Sequence, residues 1–231
     1  TAMSALVLAI DGPSGSGKSS TSKAIAIRAN WSYLDTGALY RAATWLALEN
    51  KTSEEDTLVD LLEKNLITFN TNPSDPRIFV NDKDLTDEIR LHRINDAVSS
   101  ISSMAGVRKK LMDIQREYIN NAPIGIVVEG RDIGTVIAPN AQLKIYLHAD
   151  IDARTQRRAG EITENLAINT ITQSLESRDE VDTTRAISPL AQAEDAAVID
   201  STRLTLQEVV DQIWKWLKQR NLLGLPTIAV I

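Results

Sequence analysis

The chain has 231 residues, of which 43% are hydrophobic and 24% charged, and its formal net charge is −6; this length allows one substantial core with an insertion, or two small domains. The acidic balance argues against a broad basic surface for nucleic acid, and no apolar run approaches the ~18 residues of a membrane span, so we expect neither partner. The chain has no cysteine and two isolated histidines, His92 and His148, which excludes a disulfide framework and a thiol nucleophile, argues against a histidine metal site, and fits a cytoplasmic protein.

The first predicted strand, residues 5–10, is followed by a phosphate-binding loop with the sequence pattern G-x-x-x-x-G-K-S. The loop and the residue after it are Gly12, Pro13, Ser14, Gly15, Ser16, Gly17, Lys18, Ser19 and Ser20. In such a loop, glycines let backbone N–H groups turn toward phosphate oxygens, the lysine reaches the β- and γ-phosphates, and the serine hydroxyl can ligate Mg²⁺. A predicted helix over residues 18–29 would place its N-terminus at the same anion. We therefore expect a nucleoside triphosphate with Mg²⁺ at this loop.

Four further short apolar segments predict buried parallel strands. They are residues 31–34, 124–128, 143–147 and 197–199. With helices between them, the five strands predict an α/β fold with a doubly wound parallel sheet of the P-loop NTPase type, which binds ligands at the carboxyl ends of its strands. Gly12, Asp35, Gly130 and Asp200 all follow or end a predicted strand, so we expect them on one rim. A last amphipathic helix is predicted over residues 206–218.

Two segments interrupt this alternation of strands and helices. Residues 66–84 alternate apolar and polar side chains around a Pro-rich turn, which predicts a small antiparallel hairpin. Residues 152–185 are polar and rich in arginine, which suits a mobile lid over phosphates. We therefore divide the chain into a core of residues 1–65, 104–153 and 188–231, an inserted acceptor-binding lobe of residues 66–103, and a lid of residues 154–187. The apolar tail, residues 222–231, has no assigned function.

Three polar motifs suggest a second site facing the phosphate-binding loop. They are D-T-G-A-L-Y-R at residues 35–41, E-G-R-D at 129–132, and R-D-E-V-D-T-T-R at 178–185. A phosphotransferase needs cations over the transferred group and an acceptor site beside it, and arginine binds phosphate oxygens bidentately. Each motif alone could be an ion pair or a helix cap. A guanine-nucleotide switch is a further alternative, although the N-K-x-D element of such proteins is absent from the sequence.

Together these motifs resemble bacterial cytidylate kinases, which phosphorylate CMP and dCMP in pyrimidine nucleotide metabolism. The resemblance covers nearly the whole chain. It includes I-D-G-P-S-G-x-G-K at residues 10–18, E-I-R at 88–90, V-R at 107–108, G-R-D-x-G-T at 130–135, R-D-x-x-D-x-x-R at 178–185 and D-S-T at 200–202. The pair formed by G-R-D-x-G-T and R-D-x-x-D-x-x-R is far more specific than the phosphate-binding loop.

The resemblance implies two nucleotide sites and a role for each matched residue. Ser99, Arg108 and Asp132 would read the cytosine, and Arg41, Arg131 and Arg185 would hold the acceptor phosphate. Tyr40, Arg178 and Asp182 would lie by the ribose, with Gly130 in the same site and Thr36 ordering the acceptor loop. Arg154, Arg157 and Arg158 would contact the phosphates of ATP. The catalytic set implied is Lys18, Arg131, Arg154, Arg157, Arg158 and Arg185, with Mg²⁺ bound together with ATP.

The sequence departs from the commoner family pattern at two positions. Ser19 and Ser20 follow Lys18 where many relatives have Gly-Thr, which makes Ser19 a candidate Mg²⁺ ligand. Glu129 stands where an aspartate is frequent, and we expect it to orient Mg²⁺-bound water. The alternative function is a small-metabolite P-loop kinase of the shikimate or gluconate type. The sequence leaves open the use of UMP, the ribose or deoxyribose preference and the oligomeric state, for which we expect a monomer.

Overall fold

The computed structural model describes residues 5–161 and 167–223. Its strands are β1 (Leu6–Asp11), β2 (Ser32–Asp35), β3 (Ile67–Asn70), β4 (Arg77–Val80), β5 (Lys83–Asp84), β6 (Gly125–Gly130), β7 (Leu143–His148) and β8 (Ala197–Asp200). Its α-helices are α1 (Lys18–Ala29), α2 (Thr36–Glu49), α3 (Glu55–Lys64), α4 (His92–Ser102), α5 (Ala105–Asn120), α6 (Ile151–Glu161), α7 (Ile168–Thr184) and α8 (Leu206–Gln219). A short 3₁₀ turn spans Glu88–Arg90 and a π-helical turn spans Ile133–Ile137.

The main sheet has five parallel strands in the order β2-β6-β1-β7-β8. All five predicted strands are confirmed, and the fold class is the predicted one. β1 and β6 lie at the centre and are almost completely buried, because helices cover both faces of a doubly wound sheet. Since the strands are parallel, Gly12, Asp35, Gly130 and Asp200 come together at one edge, as their positions after the apolar runs predict.

The two faces of the sheet pack against different helices. Side chains of β1 alternate, so Leu8 and Ile10 join one hydrophobic cluster and Val7 and Ala9 join another. The first cluster includes Ile25 of α1 and apolar residues of α8, and the second includes apolar residues of α5 and the π-helical turn. The predicted helix over residues 206–218 is confirmed as α8, which begins with a capping box formed by Thr205 and Glu208.

The inserted segment forms a second, antiparallel sheet of three strands in the order β3-β4-β5. The predicted hairpin is confirmed and gains the short strand β5, which pairs with the end of β4. Ile78, Val80 and Leu85 of this insertion share one hydrophobic cluster with helices α2, α3 and α5. The small sheet is therefore packed onto the helical layer beside β2. The domain boundaries drawn from the sequence stay a prediction.

The segment predicted to be a lid consists of α6 and α7 in its described part. Residues 162–166 lie outside the described residues, as do residues 224–231 of the apolar tail. α6 begins three residues after the end of β7. Its Arg154 contacts Ser14 of the phosphate-binding loop and Asp179 of α7. None of the described helices is long and apolar enough to cross a membrane.

Candidate functional site

The phosphate-binding loop has the backbone conformation that its glycines permit. Gly15 and Gly17 have φ angles of 76° and 93°, in the left-handed region that favours glycine. At Gly12 the constraint is one of space, because a Cβ there would lie 1.9 Å from the carbonyl oxygen of Leu147. Gly17 is the N-cap of α1, so the loop ends at the N-terminus of a 12-residue helix. The first N–H groups of a helix have no intrahelical partner, so this position favours an anion.

Two of the predicted arginines, Arg154 and Arg157, donate hydrogen bonds to carbonyl oxygens of the loop. Arg154 donates to the carbonyl oxygen of Ser14 at 3.3 Å and forms an ion pair with Asp179 at 2.6 Å. Arg157 donates to the Ser16 carbonyl oxygen at 3.4 Å and to the backbone oxygen of Ser201 at 2.6 Å. Both guanidiniums are bonded to protein oxygens in this structure, so their contact with ATP phosphates stays a prediction. Arg158 differs, because it lines the cavity described below.

Lys18 is buried beneath the loop, where its ammonium nitrogen donates to the carbonyl oxygen of Pro13 at 2.6 Å. Burial and the nearby Arg131 guanidinium lower the pKa of Lys18 to about 7, against the pull of the Glu129 carboxylate. Near neutral pH a lysine with this pKa is only partly charged, and an approaching anion favours its charged form. Lys18 is therefore suited to respond to a phosphate.

One cavity of about 870 Å³ joins the loop to the inserted segment. Most of the predicted site residues line it. They are Ser14, Gly15, Gly17, Lys18, Ser19, Ser20, Thr36, Tyr40, Arg41, Ser99, Arg108, Glu129, Gly130, Arg131, Asp132, Arg158, Arg178, Asp182 and Arg185. The volume is in the range of small-molecule sites, and the lining residues extend from the loop to the insertion.

The middle of the cavity carries a concentration of positive charge. Arg131 donates to one oxygen of Asp182 at 2.8 Å, and Arg185 donates to the other at 3.2 Å. Burial, followed by repulsion from neighbouring arginines, lowers the pKa of Arg178 to about 9, and burial is also the first cause that lowers the pKa of Arg41 to about 10. These four arginines line the same cavity and Asp182 pairs with two of them, so this part of the cavity favours an anion.

At the end near the insertion, Asp132 and Arg108 form a buried ion pair with a distance of 2.6 Å. Arg108 also donates to the carbonyl oxygen of Ser102 at 2.9 Å and stacks over the Tyr40 ring at 4.9 Å. Within the described part of the chain, the Tyr40 hydroxyl and the Nε atom of Arg108 are buried without a hydrogen-bonding partner. Ser99, on α4, is half-buried at the same wall. These groups offer unpaired donors and a carboxylate acceptor to a polar ligand.

Glu129 is the penultimate residue of strand β6, and its carboxylate is buried. Its two oxygens accept hydrogen bonds from the Ser19 hydroxyl, at 3.0 Å, and from the Tyr33 hydroxyl. Burial and the neighbouring Asp35 carboxylate raise the pKa of Glu129, and burial with the Glu129 charge raises the pKa of Tyr33, so the phenol stays a donor. Thr36 donates to the Glu129 backbone oxygen at 2.7 Å.

The donor set at Glu129 is compatible with Mg²⁺. Among the residues described here, no three His, Cys, Asp or Glu side chains converge as a metal-binding group. Mg²⁺ typically keeps several waters and takes one or two carboxylates plus substrate phosphates. Glu129, Asp35 and the Ser19 hydroxyl lie beside the loop in that pattern, and a cation there would relieve the repulsion between the two carboxylates.

Sequence reasoning missed several residues that shape the site. Asp11, the residue before the loop, is buried and accepts the backbone N–H groups of Ile133 and Gly134 at 2.9 and 2.7 Å. Burial raises the pKa of Asp11 to about 6. Ser201 donates to the Ser16 carbonyl oxygen at 3.0 Å. The D-S-T motif contains Ser201 and the I-D-G-P motif contains Asp11, but neither motif indicates these contacts. No motif contains Tyr33, whose contact depends on the tertiary fold.

Comparisons with known proteins point to one family. A profile of the family described as cytidylate kinase matches residues 8–219. A cytidylate kinase of Streptomyces avermitilis is 44% identical to this chain over 209 residues, which cover 90% of each protein. A cytidylate kinase of Streptococcus pneumoniae is 43% identical over 220 residues, covering 91% of this chain and 96% of that protein.

Solved structures support the fold. An uncharacterized protein from Eubacterium ventriosum superposes with a TM-score of 0.52 at 14% identity, covering 92% of this chain and 98% of its own. A Thermus thermophilus protein gives a TM-score of 0.50 at 16% identity, covering 94% of this chain and 98% of its own. At such identities the likeness concerns the architecture alone.

Proposed function

The chain belongs to the cytidylate kinase family and is a phosphotransferase, and we propose that it transfers the γ-phosphoryl group of Mg²⁺-bound ATP to CMP or dCMP. The products are ADP with CDP or dCDP. The observation that carries this proposal is one continuous cavity, which is lined at one end by the phosphate-binding loop and at the other by the buried Asp132–Arg108 pair.

The loop end suits the triphosphate. Its backbone donors and Lys18 would hold the β- and γ-phosphates, and the helix N-terminus of α1 favours the same negative charge. Ser19 and Glu129 would hold Mg²⁺, directly and through water respectively, and the ion supplies neutralisation of phosphate charge when bound. Arg154 and Arg157 support the loop through its carbonyl oxygens, which keeps its donors aimed at the ligand.

The middle of the cavity suits the acceptor phosphate. We assign Arg41, Arg131 and Arg185 to that phosphate, with Arg158 toward the transferred group. Asp182 holds Arg131 and Arg185 at a fixed spacing by accepting from both. Phosphoryl transfer passes through a loose transition state, so catalysis consists mainly of positioning the two phosphates and neutralising charge. The acceptor oxygen is already an anion and needs no general base.

The insertion end suits cytosine. Cytosine offers an amine donor at N4 and acceptors at N3 and O2, which complement the Asp132 carboxylate and the donors of Arg108 and Ser99. Tyr40, Arg178 and Asp182 are assigned to the ribose side. A base with the opposite pattern would leave buried groups unpaired, which costs about 1–3 kcal/mol for each such group.

The experiment that tests the proposal measures ADP release from Mg²⁺-ATP with a panel of acceptors: CMP, dCMP, UMP, AMP, GMP, dTMP, shikimate and gluconate. We expect CMP and dCMP to be the preferred acceptors. Release that is fastest with shikimate or gluconate would support the alternative small-metabolite kinase, and tight GTP binding with slow, acceptor-independent hydrolysis would support a nucleotide switch.

A second arm tests closure over the site. We propose that α6 and α7 move as a lid that excludes water, because water would otherwise accept the phosphoryl group. ATP hydrolysis without CMP should therefore be much slower than transfer to CMP. Hydrolysis at the rate of transfer would contradict both the lid and the kinase activity. The cytoplasmic location and the monomeric state stay predictions.

A further inference from the structure

Tyr33 contacts Glu129 in the proposed Mg²⁺ region, although no sequence motif contains it. Its hydroxyl donates to one oxygen of the Glu129 carboxylate, and the Ser19 hydroxyl donates to the other oxygen at 3.0 Å. The two donors come from different elements, strand β2 and the start of α1. The carboxylate is thus held at both oxygens.

The register of the central sheet makes this contact possible. Tyr33 on β2 is opposite Val127 on β6, and Asp35 is opposite Glu129. Side chains two residues apart on a strand share a face, so Tyr33, Val127 and Glu129 all lie on the same face of the sheet. A slip of one residue would turn Tyr33 to the other face and separate its hydroxyl from Glu129.

The Tyr33 ring is buried, which fixes the position of its hydroxyl. The side chain is 4% exposed and packs in the hydrophobic cluster with Ile25 and Val127. A tyrosine has few rotatable bonds, whereas a free glutamate side chain samples many rotamers and loses that freedom when ordered. The packed ring can therefore restrict the Glu129 carboxylate at little further entropic cost.

We propose that Tyr33 is a positioning residue that, with Ser19, fixes the Glu129 carboxylate beside the phosphate-binding loop so that it can bind a water of the Mg²⁺–ATP complex. The inference rests on the proposed kinase function and concerns how its metal region is ordered. After accepting one hydrogen bond, each carboxylate oxygen still has a free lone pair for such a water. Groups of this kind, which orient another residue near a metal, typically change metal affinity 10–100-fold when removed.

The test uses Tyr33→Phe, which removes one hydroxyl and keeps the ring. Mn²⁺ replaces Mg²⁺ as the probe, and electron paramagnetic resonance measures free Mn²⁺ in the presence of the enzyme and a non-hydrolysable ATP analogue. We expect Mn²⁺ to dissociate about tenfold more readily from the variant complex. Binding of CMP and of the metal-free ATP analogue, measured by calorimetry, should be unchanged.

Tyr118→Phe is the matched control, because the Tyr118 hydroxyl accepts a hydrogen bond from the Phe69 backbone at 2.8 Å in another part of the molecule. This variant should keep the wild-type Mn²⁺ affinity. If Tyr33 acts through Glu129, then Tyr33→Phe should weaken Mn²⁺ no further in a Glu129→Gln background. Additive losses, unchanged Mn²⁺ affinity, or equal losses for all three ligands would overturn the inference.

An activity assay of the wild-type protein distinguishes a failure of this inference from a failure of the proposed function. If the wild type fails to phosphorylate CMP with Mg²⁺-ATP, the proposed function is wrong. If it phosphorylates CMP and Tyr33→Phe keeps its Mn²⁺ affinity, only the role of Tyr33 is wrong. A thermal melt of each variant confirms that the compared proteins are folded.

Discussion

Binding of ATP should draw a proton from solution onto Lys18. In the free protein, burial and the Arg131 charge lower the pKa of Lys18 from 10.5 to about 7. Phosphate oxygens beside the ammonium would favour its charged form and raise that pKa again. The complex then binds more protons than the free protein at any pH between the two pKa values.

The magnitude follows from the size of that shift. At about pH 8 roughly nine tenths of free Lys18 is neutral, so each ATP should take up close to one proton. Because the protonated form binds better, ATP affinity is highest below pH 7 and should fall by up to about tenfold per pH unit above it. At about pH 8 the terminal phosphate of ATP, with a pKa near 6, is already ionised. Arg178, with a pKa of about 9, is still charged.

Isothermal titration calorimetry measures this uptake directly. Titrations of ATP at about pH 8 in buffers of different ionisation enthalpy give the number of protons from the slope of the observed enthalpy. Lys18→Arg is the control, because a guanidinium stays protonated throughout this range. The variant should show almost no uptake. Equal uptake by wild type and Lys18→Arg would refute the reasoning and would point to another group, with the raised pKa of Glu129 as the first candidate.

Three further outcomes are expected. Lys18→Ala should lower turnover by two or more orders of magnitude, because preorganised charge is worth about 3 kcal/mol or more; near wild-type turnover in a folded variant would contradict this. Asp132→Ala should reduce the preference for CMP over UMP about tenfold or more while changing the KM for ATP little, and equal losses for CMP and ATP would argue against its assignment. Gly125→Ala should destabilise the fold by about 1–3 kcal/mol, because its Cβ would lie 2.5 Å from the Trp31 ring. Thermal melts would show this as a lower Tm, whereas Gly160→Ala, with open space around its Cβ, should melt no lower than wild type.

The fold was predictable because its signals are local. Each strand of the main sheet is a short apolar run. The loop after residue 11 has the G-x-x-x-x-G-K-S pattern, which is specific for phosphate-binding loops. The insertion was visible as alternation around a turn, but β5 was not, since two residues, Lys83 and Asp84, carry no periodic signal. Its pairing with β4 depends on the neighbouring strand.

Residues of the candidate site could be predicted only where they belong to a recognisable motif. Arg131, Asp182 and Arg185 stand in two separate motifs, and the structure joins them through the two oxygens of Asp182. The sequence could not distinguish which arginines face the cavity. Arg157 and Arg158 are adjacent on α6, yet Arg157 bonds Ser201 behind the loop and Arg158 lines the cavity. A helix turns about 100° per residue, so neighbours in sequence point in different directions.

Asp11 connects the phosphate-binding loop to the proposed acceptor site. It directly precedes Gly12 of the phosphate-binding loop, and its carboxylate accepts the N–H groups of the two residues that follow Asp132. A shift of β1 relative to β6 would therefore displace Asp132 and the loop together. In the proposed reaction, catalysis consists mainly of holding two phosphates in line, so this link would affect the positions of both substrates. Burial of the Asp11 carboxyl raises its pKa from 3.8 to about 6, because folding disfavours the charged form. Asp11 therefore contributes most to the stability of the folded state below pH 3.8, and this contribution is lost as the pH rises through 6.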